Sequence, residues 1–141
     1  MHIHIEGQVQ GVGFRPFVYK LAHWLNLRGW VRNNVDGVHI EAGGTDEQLE
    51  LFLYLLKDDA PAEARITKIT SKEIEERDFH QFKIKESNSG GTPNLLITPD
   101  LGLCEHCRKE INDPQNYRYH YPFTTCTQCG PRYSILKSLP Y

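Results

Sequence analysis

The chain of 141 residues lacks two features that would take it to or across a membrane. No apolar run is long enough to span a bilayer, and no secretory signal pattern is present at the amino terminus. We therefore expect a cytoplasmic protein with no membrane partner. An excess of positive charge is also lacking, since 11 basic and 14 acidic residues precede residue 98 and 5 basic and 4 acidic residues follow. This balance makes nucleic acid an unlikely partner.

Cysteine is absent from the first hundred residues, which excludes a disulfide framework spread over a secreted chain. The four cysteines form two C-x-x-C pairs, 18 residues apart, at Cys104 and Cys107 and at Cys126 and Cys129. Two such turns can close a tetrahedral four-thiolate site of the structural zinc type. We therefore predict one structural zinc ion, whose binding supplies folding energy that so short a segment cannot obtain from a core.

Other residues near the cysteines are less suited to bind the metal. His106 lies inside a C-x-x-C turn, where its ring is expected to face solvent, and His120 is expected to be a surface or stacking residue. Basic and aromatic side chains interleave here, which leaves two interpretations, a nucleic-acid surface or a small aromatic core around the metal. The low charge favours the core, formed from Tyr117, Arg118, Tyr119, Tyr121, Phe123, Arg132 and Tyr133.

A glycine-rich segment, residues 7–15, links an alternating apolar run to an amphipathic one and reads Gly-Gln-Val-Gln-Gly-Val-Gly-Phe-Arg. Glycines allow consecutive backbone N–H groups to converge, and Pro16 is expected to open a helix whose positive end adds to them. With the guanidinium of Arg15, the segment predicts a phosphate socket. Its expected ligands are the side chain of Arg15 and the backbone amides of Gln10, Gly11, Val12, Gly13, Phe14 and Arg15. The spacing matches neither the P-loop nor the dinucleotide fingerprint, and the alternative is a plain turn with a solvated arginine.

The hydrophobic periodicity predicts an α+β domain of order βαββαβ, the ferredoxin-like architecture, over residues 1–86. Thr45 and Gln48 form a capping box at the second helix. Ile66 and Ile69 lie three positions apart, so the register of the fourth strand is open. A flexible linker is expected over 87–97, followed by the four-cysteine zinc-finger segment over 98–141.

Two segments together, residues 7–15 and the run Gly-Trp-Val-Arg-Asn-Asn-Val-Asp-Gly at 29–37, resemble the acylphosphatase family. The resemblance implies that Arg15 and the loop backbone hold a phosphoryl group while Asn33 positions the attacking water. Strand alternation admits either Asn33 or Asn34 to such a site, and the motif favours Asn33. No carboxylate or histidine is an evident general base.

The domain order and the stretches at 113–114, 118–123 and 126–133 resemble the hydrogenase maturation carbamoyltransferase (HypF) family. Members continue with a second finger, a nucleotide-binding domain and a transferase domain. They use carbamoyl phosphate and ATP to carbamoylate the carboxy-terminal cysteine of a hydrogenase maturation protein. This resemblance implies an N-terminal fragment that hydrolyses carbamoyl phosphate or another small acyl phosphate, with ATP needed only in the missing part.

Two alternatives remain open from the sequence. One is a free-standing acylphosphatase carrying an incidental finger. The other is a zinc-dependent adaptor that binds protein or RNA.

Overall fold

The computed structural model describes residues 1–75, 77–87 and 103–121. A five-stranded sheet has the spatial order β4-β1-β3-β2-β5, in which only the β2–β5 pair is parallel among the described strands. The elements are β1 (His2–Gln8), α1 (Phe14–Trp24), β2 (Arg28–Asn34), β3 (Gly37–Gly43), α2 (Asp46–Asp58), β4 (Arg65–Lys72), β5 (Phe82–Ile84) and α3 (Glu105–Asn112). The predicted βαββαβ order is confirmed, with β5 as the short edge strand.

One face of the sheet carries the hydrophobic core, and the two first helices cover it. Alternate residues of each strand point to this face, as the two-residue period of a strand requires. The core combines them with the apolar stripes of α1 and α2, and its fully buried members include Ile3, Ile5, Val31, Val38, Ile40, Val18, Ala22, Phe52 and Leu56. The opposite face is lined by polar and aromatic side chains from the intervening positions.

A bulge settles the register of β4. Glu6 pairs with Lys68 and Gly7 pairs with Ile66, so one extra residue of β4 lies between the two pairs. The extra residue resets the alternation and places Ile66 and Ile69 on the same face, where both pack against the core. Their three-residue spacing is therefore compatible with a regular strand on either side of the bulge.

The start of α1 differs from the sequence prediction. The helix begins at Phe14 with Gly13 as its N-cap, so Pro16 lies inside the first turn and does not open the helix. Proline is tolerated there because first-turn N–H groups have no acceptor within the helix. The capping box of α2 is confirmed: the Gln48 N–H donates to Thr45 Oγ1 at 3.4 Å and the Thr45 N–H donates to Gln48 Oε1 at 2.8 Å.

Several predicted features lie wholly or partly outside the described residues. They include Cys126, Cys129 and all of the 87–97 segment except Ser87, so the domain bounds at 86 and 98 stay predictions. Within the part of the chain that is described, no helix has the length and apolar character needed to cross a membrane.

Candidate functional site

The glycine-rich loop between β1 and α1 is fixed from inside by its apolar side chains. Val9, Val12 and Phe14 are each 1% exposed and belong to the hydrophobic core. Gly11 and Gly13, between and beside these side chains, are partly exposed. The loop is therefore anchored to the core at the end of the interior strand β1, with part of its main chain at the surface.

Two glycines give this stretch its curvature. Gly11 and Gly13 adopt φ angles of 72° and 73°, in the left-handed region that other residues rarely enter. Left-handed residues at alternate positions turn successive N–H groups toward a common concavity, the arrangement that binds anions in many phosphate sites. The loop runs directly into α1, whose N-terminal end carries the positive pole of the helix dipole.

Arg15 lies in the first turn of α1 and is the only charged side chain among its first four residues, all of which the structure describes. It is partly exposed, and its Nη1 lies 3.4 Å from Ser87 Oγ, just beyond β5. The loop, the helix end and Arg15 are thus adjacent, and their role as a phosphate site stays a prediction. The residues expected to bind phosphate are contiguous in space as well as in sequence.

The side chain of Gln10 connects this loop to the turn between β2 and β3, a contact that the sequence did not predict. Its Nε2 donates to the carbonyl oxygens of Asn34 at 2.7 Å and Gly37 at 3.1 Å, and Gln10 is only 3% exposed. A buried amide that donates two hydrogen bonds fixes the distance between the segments it joins. The two family motifs are therefore held together by a direct contact.

The two adjacent asparagines of β2 point to opposite faces of the sheet. Asn33 shares the face of Val31, which belongs to the core, and is 1% exposed. Asn34 shares the face of Trp30 and Arg32 and is partly exposed. Because α1 and its preceding loop cover the core face, Asn33 is the asparagine on their side of the sheet. Asn33, which the family motif favours, therefore lies on the side of the loop, and its water-positioning role stays a prediction.

The first cysteine pair lies at the N-terminal end of α3. Cys104 is the N-cap and Cys107 is the third helical residue, so one helical turn carries both. Cys107 is 2% exposed and packs with Cys104 and Leu103. Zinc binds cysteine through its sulfur as the thiolate. Two sulfur donors on one helical turn therefore suit half of a four-thiolate site. The second cysteine pair, Cys126 and Cys129, lies outside the described residues.

The tyrosines that follow α3 contradict the prediction of an aromatic core. Tyr117, Tyr119 and Tyr121 are exposed by 86%, 42% and 53%, so these three do not form the expected aromatic core. The expectations for the histidines are confirmed, because His106 is exposed and His120 is an exposed residue that stacks on Tyr119 with 4.0 Å between ring centroids.

The ion pair of Arg118 links the segment after α3 back to that helix. Arg118 Nη1 lies 2.6 Å from Glu110 Oε2, and this carboxylate raises the pKa of the guanidinium. The Glu110 carboxylate neutralises the positive charge of Arg118, which a nucleic-acid surface would need for binding phosphate groups.

Comparison with known proteins assigns the two parts of the chain to two different family models. The acylphosphatase family model matches residues 1–84, and the HypF finger model matches residues 103–136. An acylphosphatase structure from Coxiella burnetii is 32% identical and superposes with a TM-score of 0.56, covering 60% of this chain and 88% of that one. The ferredoxin-like domain followed by a finger is thus confirmed.

Longer relatives match almost the entire chain. The carbamoyltransferase HypF2 of Cupriavidus necator is 46% identical across 100% of this chain. A crystal structure of full-length HypF in a phosphate- and nucleotide-bound form is 44% identical over 99% of this chain, with a TM-score of 0.92. This chain spans only 18% of the length of either relative. It belongs to the acylphosphatase family over residues 1–84 and, with the finger that follows, matches the N-terminal region of the HypF carbamoyltransferases.

Proposed function

We propose that residues 1–86 bind the phosphoryl group of a small acyl phosphate at the loop of residues 10–15 and hydrolyse it. The observation that carries this proposal is the anchored loop itself, with left-handed Gly11 and Gly13 leading into the N-terminus of α1 beside Arg15. Converging N–H groups, a helix dipole and a guanidinium are the components of a phosphate site. The full-length HypF structure in a phosphate- and nucleotide-bound form supports phosphate as a ligand of such proteins.

Hydrolysis would then depend on how the site positions the phosphoryl group and the water, and on how it stabilises the negative charge of the transition state. Arg15 and the loop amides hold the phosphoryl oxygens and stabilise the negative charge that develops in the transition state. Asn33 orients a water molecule for in-line attack on phosphorus. The water oxygen forms the new P–O bond, the bond to the acyl oxygen breaks, and the carboxylate or carbamate leaves as a stable anion. Such a leaving group needs no strong general acid.

Within a HypF-type protein we propose carbamoyl phosphate as the substrate. The names of the relatives that match the whole chain support this choice over other acyl phosphates. Activation of the carbamoyl group with ATP would belong to the remainder of such a protein. Transfer to the carboxy-terminal cysteine of a hydrogenase maturation protein would belong there too. The resulting pathway would supply the cyanide ligand of nickel–iron hydrogenase.

The finger is proposed to bind one structural zinc ion through Cys104, Cys107, Cys126 and Cys129. The match to the HypF finger and the placement of the first pair on one helical turn support it. Bound zinc would hold the two cysteine turns together and fold the short segment between them. Cysteines that remain reduced suit the cytoplasm, where we propose that the protein acts.

The test is steady-state hydrolysis of carbamoyl phosphate by wild type and three alanine variants. Arg15→Ala should lower kcat/KM by about 10³-fold, the scale of arginines that stabilise phosphoryl transfer. Asn33→Ala should lower kcat with little change in inhibition by inorganic phosphate, because it orients water and does not contact phosphate. Asn34→Ala is the matched control and should retain activity.

Wild-type activity in all three variants would refute the hydrolase assignment. A normal Asn33→Ala variant beside an inactive Asn34→Ala variant would move the water-positioning role to the other face of β2. Benzoyl phosphate serves as a second substrate: equal kcat/KM for both compounds would favour a general acylphosphatase over a carbamoyl phosphate enzyme.

A further inference from the structure

A cluster of imidazole and carboxylate groups occupies the face of the sheet opposite to α1 and α2. His4 of β1 and His39 of β3 are direct cross-strand partners, and their rings stack with 4.3 Å between centroids and 20° between planes. Asp36, in the turn between β2 and β3, lies against both rings. Its carboxylate contacts His39 Nε2, and its main-chain carbonyl oxygen accepts a hydrogen bond from His4 Nε2 at 3.1 Å. One ligand atom from each of the three residues lies within 4.8 Å of the other two.

The separations in the cluster suit a single small cation. His39 Nε2 lies 3.0 Å from Asp36 Oδ1, and His4 Nε2 lies 3.6 Å from Asp36 Oδ2. Ligand atoms about 2.0–2.2 Å from a tetrahedral zinc ion are about 3.3 Å from one another. Measured from the same oxygen, Asp36 Oδ2, His4 Nε2 and His39 Nε2 lie 3.6 Å and 3.1 Å away, on either side of that value. The ligand atoms of the two rings lie within 4.8 Å of each other, so one cation could be reached from all three side chains after small side-chain rotations.

The surroundings of the rings favour the orientation that a metal needs. His2 Nε2 lies 3.1 Å from His39 Nδ1, so the ring nitrogen that faces away from Asp36 has a hydrogen-bond partner. His39 Nε2 is within hydrogen-bond distance of both Asp36 carboxylate oxygens, and a bound cation would replace the proton of that hydrogen bond. Glu6 Oε1 lies 3.9 Å from His4 Nδ1 and supplies negative charge behind the second ring. Partners on the distal nitrogen are the usual way in which proteins orient metal-binding histidines.

Burial and exposure also agree with a cation site. The side chains of His4 and His39 are 20% and 15% exposed, whereas Asp36 is 40% exposed and opens the cluster to solvent. Imidazole nitrogens and carboxylate oxygens are ligands that cations of the zinc class bind.

We propose that His4, Asp36 and His39 form a second metal site, for a divalent cation of the zinc class, on the open face of the sheet. Two imidazoles and one carboxylate leave a fourth position for water or an external ligand. The site is separate from the cysteine finger in sequence. It also lies on the other face of the sheet from Asn33, so it is distinct from the proposed phosphate site.

Zinc titration of the full chain, with the finger already loaded with one equivalent, tests this proposal. Isothermal calorimetry should detect a second equivalent in wild type. His4→Ala and His39→Ala, which change different strands, should each weaken that second equivalent by about tenfold or more while the first is kept. His23→Ala is the matched control, because His23 is an exposed histidine of α1 outside the cluster. It should bind both equivalents as wild type does.

Circular dichroism of each variant verifies that the sheet is folded before titration. A wild-type chain that takes up a single equivalent would overturn the proposal. Undiminished binding of the second equivalent by folded His4→Ala or His39→Ala would also overturn it.

Discussion

Replacing Gln10 with alanine tests whether the loop and the β2–β3 turn are held together by one side chain. The substitution removes two buried hydrogen bonds, at 2.7 Å to the Asn34 carbonyl and 3.1 Å to the Gly37 carbonyl. Each contributes about 0.5–1.5 kcal/mol, and the lost methylene adds about 0.8 kcal/mol. We therefore expect the free energy of unfolding to fall by about 2–4 kcal/mol.

The same change should reduce catalysis. Without the Gln10 bridge the loop and Asn33 can move relative to each other, and a displacement of about 1 Å in a phosphoryl-transfer site costs on the order of 10²-fold in rate. We expect kcat for carbamoyl phosphate to fall by about 10–100-fold. Urea unfolding followed by tryptophan fluorescence gives the stability, because both tryptophans, Trp24 and Trp30, lie in the first domain.

Gln8 offers a matched control for this substitution. Its Nε2 donates a single hydrogen bond, 3.1 Å long, to the carbonyl of Glu63, away from the proposed site. Gln8→Ala should therefore cost about 0.5–1.5 kcal/mol and leave kcat unchanged. If Gln10→Ala is no less stable than Gln8→Ala and turns over as fast as wild type, the bridge does not position the site.

Three further predictions concern stability. Gly37→Ala should destabilise the first domain by about 2 kcal/mol or more in urea unfolding, because φ is +140° and an added Cβ would lie 2.2 Å from the Ile5 carbonyl oxygen. Thr45→Ala should cost about 1 kcal/mol by the same measurement, since it removes the side-chain half of the capping box. Zinc chelation should unfold the finger and leave residues 1–86 folded, which far-UV circular dichroism and tryptophan fluorescence would separate; loss of both signals together would contradict it.

The sequence predicted most of the fold because its signals are local. Alternation, helical stripes and the capping box at Thr45 each depend on neighbouring residues, and the structure bears them out. The register of β4 could not be read, because it depends on a bulge that forms only when Glu6 and Gly7 pair with a second strand. Helix α1 begins at Phe14, two residues before the predicted start at Pro16, because left-handed Gly13 is its N-cap.

The backbone of the candidate site could be predicted from the sequence, but several of the contacts that its side chains make could not. The glycines and Arg15 are adjacent in sequence. Strand alternation predicted that Asn33 and Asn34 lie on opposite faces, and the family motif favoured Asn33. The bridge from Gln10 was not readable, because its acceptors are carbonyls 24 and 27 residues away. The cluster of His4 and His39 was missed for the same reason, since it exists only through the pairing of β1 with β3.

Titration of the isotopically labelled chain with inorganic phosphate tests the central claim most directly, because amide chemical shifts show which residues contact the ligand. The account predicts saturable shifts concentrated at the amides of residues 10–15 in wild type. In Arg15→Ala the same titration should bind phosphate at least about tenfold more weakly. Shifts that lie elsewhere in the chain, or an unchanged affinity in Arg15→Ala, would contradict the claim that this loop is a phosphate site.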